Sequence, residues 1–335
     1  MSEGFGEKGP RFNNEEESEE RETSPLSGFQ ETTGPTKEQI KTALESESSF
    51  ERENNRTYKL GMRNEKPYFT VTYKDQLPET LTAEEKSKFT SVGEDAYRFE
   101  YGKVPEEAAS SEPYLVREPL RNEGGKLADN QFINEGKLAE MMIGKKVIFY
   151  TGAGISMDRI HGLSELMDDL EINIDKNEDG FLKTCVSDPK EIAEKWHEFK
   201  QSLVDSEPSV AHESLTKIAK QTNSPVITEN SDLLHEKAGT NPFHVSGPKL
   251  KKQVKSEELR YIDMVVTIGL RADDRGFLAW YKDQNPNGII VAINKKQAEP
   301  LEYPEYLGED DMMIEGDLRE IVPQLEKELK MKNEI

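Results

Sequence analysis

Apolar positions are spread unevenly along this chain. Residues 1–36 are rich in Glu, Ser, Gly and Pro, and the stretch Asn14–Arg21 (NEEESEER) has almost nothing to bury. That composition predicts a disordered acidic tail. From Thr36 the segment TKEQIKTAL spaces Ile40 and Leu44 at i, i+4, which predicts a short helix over 36–50 with Thr36 as its cap. Tyr68–Tyr73 (YFTVTY) is β-branched and aromatic and predicts a strand. Arg56–Met62 is its expected hairpin partner, with the turn in Asn64–Pro67. Thr82–Phe89 is expected to be helical, with Thr82 capping and Glu85 in the capping-box position. Residues 104–131 are polar, contain Ala-Ala-Ser-Ser and Gly-Gly, and read as a linker. The expected organisation is a tail over 1–36, a small or partly ordered N-terminal region with its linker over 37–130, and a larger domain over 131–335.

After Gln131 the pattern changes. Glu135–Met142 has helical spacing, and Val147–Tyr150 is a continuous apolar run. Glu191–Leu203 places Ile192, Trp196, Phe199 and Leu203 on one face, and Ser209–Ala219 does the same with Val210, Leu215 and Ile218. Pro225–Thr228, Met264–Gly269 and Gly288–Asn294 read as further strands. Asp317–Leu329 closes the pattern as a helix with Leu318, Ile321 and Leu325 on one face. Fully apolar strands alternating with helices predict an α/β fold, a Rossmann-like parallel sheet with helices on both faces.

Composition narrows the partners. Among 335 residues, hydrophobic content is 34%, charged content is 33% and the formal net charge is −22. An acid excess of this size argues against a general nucleic-acid binder, whose affinity comes from neutralising phosphates, and against anionic membrane surfaces. No apolar run approaches the roughly 20 residues of a membrane span, and MSEGFGEKGP lacks the apolar core of a signal peptide. The expected location is cytoplasmic, with a delivered effector as an alternative. A single cysteine, Cys185, excludes an internal disulfide and a cysteine cage for zinc.

The candidate chemistry begins at Lys146–Ser156, KVIFYTGAGIS. An apolar strand turns directly into Gly152-Ala153-Gly154 and then Ser156. Glycines there let the backbone approach a pyrophosphate, and N–H groups at a following helix start attract the anion. The bland alternative is a tight turn. A dehydrogenase fingerprint is disfavoured, because Met157 stands where the third glycine belongs and no acidic residue ends a second strand about 20 residues on. Further polar residues fall at strand carboxyl ends, where α/β sheets bind ligands. They are Glu229, Asn230 and Asp232 after Pro225–Thr228, Gly269 after Met264–Ile268, and Asn294. His244 is a candidate base, since its ordinary pKa lies near working pH. The alternatives are a helix-capping turn for Ser231 or Asp232 and a solvated loop for His244.

Taken in order, GAGIS, Pro208–Leu215 (PSVAHESL), TENSDLLHEKAG, His244, MVVTIG, IIVAIN and Gly316-Asp317-Leu318 resemble the sirtuin family over residues 135–330. TENSDLLHEKAG carries most of the likeness; Glu229 and Ser231 stand where the family has Gln and Ile. The resemblance implies NAD as co-substrate and an acylated protein or peptide as partner. It places Gly152, Ala153, Gly154 and Ser156 along the phosphate turn, Asn230 at the nicotinamide ribose and Asp232 at the carboxamide. His244 becomes the base for a ribose hydroxyl, Asn294 holds the adenosine ribose, and Asp317 and Leu318 lie beside the adenine. His212 and His235 are expected to pack or cap.

The departures from the family are equally legible. GAGIS is followed by MDRIHGLSELMDD rather than Ser-Gly-Ile-Pro-Asp-Phe-Arg, so the shielding aromatic and the arginine are gone; Leu166 and Arg159 are the substitutes at hand. Gly-Thr-Ser after the third strand becomes Gly269-Leu270-Arg271. Arg271 either pairs with a phosphate or bridges Asp273 or Asp274. The two Cys-x-x-Cys pairs are missing, and a basic run with Lys249, Lys251, Lys252 and Lys255 stands between His244 and Asp263. No zinc is expected. Glu229 puts a carboxylate where the developing positive charge of an NAD cleavage would form. Three readings follow: an NAD-dependent protein-lysine deacylase; an NAD glycohydrolase or ADP-ribosyltransferase on the same scaffold; and a non-catalytic NAD or nucleotide sensor.

Overall fold

The computed structural model describes residues 26, 28–45, 48–52, 56–64, 66–74, 77–93, 96–102, 117–122, 127–160, 178–245, 250–296 and 303–333. The expected acidic tail at Asn14–Arg21, Leu166 and Lys249 lie outside them. The first helix, α1 (Lys37–Glu45), starts as its sequence requires. The Thr36 hydroxyl accepts from the Gln39 N–H at 3.1 Å, and the Gln39 side chain accepts from the Thr36 N–H at 2.8 Å. The helix stops earlier than expected. Ser48–Arg52 form strand β1, which pairs antiparallel with β2 (Arg56–Arg63). Serines compete with helical backbone bonds, and the neighbouring strand offers Phe50 a ladder position instead.

β2 and β3 (Lys66–Tyr73) form the expected hairpin, and Asn64 supplies the left-handed turn residue at φ 51°. The turn is tighter than read, because Lys66 and Pro67 already belong to β3. The short helix α2 (Ala83–Ser87) carries the Thr82–Glu85 capping box. Two strands were not anticipated. β4 (Thr90–Gly93) and β5 (Ala96–Tyr101) extend the sheet to the order β1-β2-β3-β5-β4.

The second layer begins with α3 (Glu135–Met142), capped by Asn134, and β6 (Val147–Thr151). Next come α4 (Glu178–Ser187), α5 (Pro189–Asp205) and α6 (Val210–Thr222). β7 (Val226–Thr228), α7 (Leu234–Lys237) and β8 (Phe243–His244) follow. Two single-turn helices, α8 (Leu250–Gln253) and α9 (Ser256–Leu259), lead to β9 (Met264–Ile268). α10 (Phe277–Gln284), β10 (Ile289–Asn294), β11 (Met312–Glu315) and α11 (Leu318–Asn333) complete the fold.

The sheet order is β11-β10-β9-β6-β7-β8, and all its pairings are parallel. The order therefore reverses between β6 and β9, the doubly wound arrangement whose ligand crevice lies beyond the strand carboxyl ends at that switch point. Alternation fills both faces. Val147 and Phe149 pack with Leu138, Leu215 and Leu325 from α3, α6 and α11. Ile148 and Tyr150 pack with Leu250, Leu259, Phe277 and Tyr281 on the other side. Each such side chain contributes about 1.5–3 kcal/mol by leaving water.

Part of the stretch read as a linker is docked. The Leu120 N–H donates to Asp273 at 3.0 Å, and buried Gln131 donates to the Gly308 and Asp311 carbonyls at 2.8 Å. The antiparallel sheet shares its core with α4 and α5, where Phe69, Val71 and Phe99 meet Cys185, Val186 and Trp196. Among the described residues no helix is long and apolar enough to cross a membrane.

Candidate functional site

At the switch point two glycine turns cross. The Gly152 N–H donates to the Ile268 carbonyl at 3.1 Å, and the Gly154 N–H donates to the Gly269 carbonyl at 2.9 Å. A Cβ on Gly154 would sit 2.7 Å from Gly269 Cα, and one on Gly269 would sit 2.5 Å from the Ile155 nitrogen at φ +63°. Both contacts are backbone to backbone, so neither neighbour can give way. The glycines read as phosphate-facing thus serve first to let the β6 and β9 turns touch. The helix start expected after them is one 3-10 turn, Ala153–Ile155. It uses the Ile155 and Ser156 N–H groups on the Gly152 and Ala153 carbonyls.

Ser156 sits under this turn, buried, and joins it to the loop after β7 and, 3.4 Å away, to His212 Nε2 on α6. Its hydroxyl donates to Asp232 at 2.6 Å. The Asn230 amide donates to Ser156 Oγ at 3.2 Å and to the Gly152 carbonyl at 3.1 Å. Asp232 also accepts the Leu234 N–H at 3.0 Å. Leu233 between them is left-handed at φ 61°, an unusual state for a γ-branched residue and a mark of a constrained turn. Burial raises the Asp232 carboxyl, against the pull of the Ser156 and Leu234 donors.

The two family-position histidines pack and cap. His212 Nδ1 bonds Ser209 at the start of α6, and burial lowers its pKa to about 3. His235 Nε2 lies 2.8 Å from Thr151 Oγ1, and the two imidazoles meet edge-on at 5.0 Å.

His244 ends the edge strand β8. Its Nδ1 lies 3.0 Å from the Asn230 carbonyl, and its Nε2 lies 2.9 Å from Glu236 Oε1. Glu236 is 1% exposed and was not singled out in the sequence. Both partners of the ring are acceptors, so both nitrogens carry protons in this arrangement. Burial opposes a charge on His244, but the hydrogen bond and negative charge of Glu236 outweigh it and hold the pKa above the usual range.

Glu229, two residues before Ser231, accepts a hydrogen bond from the fully buried Tyr150 hydroxyl. Burial raises Glu229 to a pKa of about 7, partly offset by that bond. Tyr150 is another residue sequence reasoning passed over. A phenol near the end of an otherwise apolar run, two residues before Gly152, was the available signal.

Asp317 bonds Lys295 at 2.9 Å and Arg319 at 2.6 Å, and those bonds hold its carboxyl well below the carboxylate range. Asn294 donates to the Leu270 carbonyl at 3.0 Å. Arg271 is exposed at the end of β9 and Arg159 is exposed beyond the glycine turn. Of the two acidic partners foreseen for Arg271, Asp273 is otherwise engaged, since it is buried and accepts the N–H groups of Leu120, Leu278 and Ala279. Leu318 is 7% exposed and packs into the core of α11. Asn230 spends both amide hydrogens on Gly152 and Ser156, while Arg159 pairs with Asp158 at 3.7 Å and Lys295 and Arg319 pair with Asp317.

Between His244 and β9 the described chain is α8 and α9. Leu250, Val254, Leu259 and Ile262 are buried there in the sheet core. Among the described residues no group of three or more His, Cys, Asp or Glu could hold a metal ion.

No family model matches the chain. Two relatives do. An NAD-dependent protein deacylase of Bacteroides thetaiotaomicron is 27% identical over 166 residues, covering 42% of this chain and 66% of that protein. The NAD-dependent deacetylase sir2E of Dictyostelium discoideum is 34% identical over 108 residues, 30% of each chain. Over that segment the chain is sirtuin-like. It spans just under two thirds of the first relative's length and about three tenths of the second's. Among solved structures, a Sir2 homologue with NAD has a TM-score of 0.43 at 18% identity, covering 63% of this chain and 98% of that one. A Sir2 homologue mutant with 2'-O-acetyl ADP ribose has a TM-score of 0.45 at 18% identity, covering 59% and 98%. The sirtuin-like sheet brings Gly152, Gly154, Ser156, Asn230, Asp232, Glu229, His244 and Gly269 to one end. Asn294, Asp317 and Leu318 lie on its β10–β11 side. The equivalent of the family's shielding segment, with Leu166, lies outside the described residues.

Proposed function

We propose that this protein is an NAD-dependent protein-lysine deacylase of divergent sirtuin type. The observation that carries the reading is the joint anchoring of Ser156, Asn230 and Asp232 beneath the glycine crossing, with His244 tied to the Asn230 backbone. The deacylase and deacetylase names of the two relatives support it. NAD supplies the bond that breaks, between nicotinamide and ribose. The chain's part is positioning and charge stabilisation. Asn230 and Asp232 are suited to hold the nicotinamide ribose and its carboxamide. The amide oxygen of the acyl-lysine takes the ribose carbon as nicotinamide departs with the bonding pair. His244, once it has released a proton, takes one from a ribose hydroxyl; that oxygen attacks the acyl carbon, the lysine amine leaves carrying a proton, and a water molecule completes the ester, so that the acyl group ends on the ribose oxygen. Glu229 adds a carboxylate near the positive charge that develops on the ribose.

A second reading, NAD hydrolysis or ADP-ribosyl transfer, is favoured by one observation. The connection over 250–262 is folded onto the sheet core, in the place where the family's zinc module helps to form the acyl-lysine groove. Mass spectrometry of acylated peptides incubated with the protein and NAD separates the two. Loss of the acyl group from lysine, abolished in Asn230→Ala, supports the deacylase. A peptide that keeps its acyl group while NAD is consumed rejects it. In either reaction Glu229→Gln should slow nicotinamide release and leave NAD affinity unchanged.

A further inference from the structure

The N-terminal segment runs along the turn that carries Glu236 and leads to His244. The Asn223 side chain accepts the Phe29 N–H at 3.1 Å. The Asn241 N–H donates to the Gln30 carbonyl at 2.8 Å, and the Thr32 N–H donates to the Gly239 carbonyl at 3.1 Å. Glu31 forms an antiparallel bridge with Thr240 and an ion pair with Lys220. Thr36 then starts α1. On its first turn Gln39 places its amide nitrogen 3.4 Å from Glu236 Oε1 and 3.5 Å from Asn241 Oδ1. Farther along the helix, buried Lys200 of α5 donates to the Ala43 carbonyl at 3.0 Å. The helix is therefore fixed at both ends, with Gln39 over the carboxylate that holds His244.

We propose that Gln39 is a positioning residue for His244, acting through Glu236, so that the N-terminal segment belongs to the site rather than merely preceding it. Glu236 Oε1 receives both the Gln39 amide and His244 Nε2. An amide donor steadies the carboxylate without neutralising it, which leaves its charge for the imidazole. The other groups facing the ring are Asp232, the Asn230 carbonyl and His235. None of them belongs to α1. A charge introduced at position 39 thus reaches His244 through Glu236.

Three full-length variants and a control test this by NMR titration of the His244 imidazole, assigned with His244→Asn. Gln39→Lys pairs with Glu236 and should lower the His244 pKa by about one unit. Gln39→Glu adds negative charge and should raise it by a similar amount. Gln39→Ala should fall between them. Lys41→Glu places a charge on the exposed side of the same helix and should leave the titration in place. Opposite shifts for Lys and Glu at position 39, with none at 41, support the proposal. An unmoved His244 titration in both folded variants, or shifts of equal size from position 41, overturns it. The consequence for catalysis rests on His244 being the base of the proposed reaction. The titration needs no turnover, so failure of one is distinguishable from failure of the other.

Discussion

The Tyr150 hydroxyl donates to the Glu229 carboxylate, joining the ends of β6 and β7 below the glycine crossing. Glu229 stands where the sirtuin pattern has a neutral glutamine, and the phenol gives the extra charge a partner. Burial sets its folded pKa near 7, against an ordinary value of 4.5. Below pH 4.5 folded and unfolded chains both carry the proton. Between pH 4.5 and 7 the unfolded chain ionises first, so the folded state loses stability as pH rises. Glu229→Gln removes that loss while keeping an acceptor for Tyr150. Its stability relative to the parent should rise from pH 5 to pH 8 in urea melts. A difference that is the same at both pH values contradicts the burial of an ionisable Glu229.

The Glu236–His244 pair makes a pH prediction of the opposite kind. His244 is held protonated above its ordinary range, so as a base it becomes available only when pH rises through that raised pKa. Glu236→Gln removes the charge that raises it. The acidic limb of kcat/KM should move to lower pH, by about one unit. An acidic limb that stays where it is would show that another group controls it.

Gly154 is fixed by space rather than by φ. Gly154→Ala forces a Cβ to within 2.7 Å of Gly269 Cα, and overpacking of this kind costs about 1–3 kcal/mol. The variant should melt earlier and lose NAD affinity in calorimetry. Gly136, on α3, has its nearest neighbour at 3.5 Å. Gly136→Ala should be neutral or stabilising by about 0.5–1 kcal/mol. Equal behaviour of the two variants would contradict the crossing.

Leu250, Val254, Leu259 and Ile262 hold the segment after His244 by apolar packing. Prolonged treatment with a strong zinc chelator should therefore leave the thermal midpoint and NAD binding unchanged. A drop in either would point to a structural metal.

The parallel sheet was legible because β6, β9 and β10 are apolar but for Thr151, Thr267 and Asn294 and long enough to register. β8, two residues long, and β11, at the sheet edge, carry little pattern of their own; sheet pairing decides them. β4 was missed because Thr90–Gly93 has no apolar alternation, whereas β5 was legible and overlooked, since Tyr97, Phe99 and Tyr101 alternate with Arg98 and Glu100. At the site, residues next to glycine turns at strand ends could be read directly. Glu236 and Gln39 could not. One is hidden on a single-turn helix, and the other acts across 197 positions of sequence. Contacts of that separation leave no local signature.

The most direct test is nicotinamide release from NAD by the purified protein, with and without a mixed pool of acetyl-lysine peptides, alongside Asn230→Ala. Peptide-dependent release that disappears in the variant is the expected result and would establish the deacylase chemistry. Release that is independent of peptide, or no release above the variant despite NAD binding in calorimetry, would contradict it.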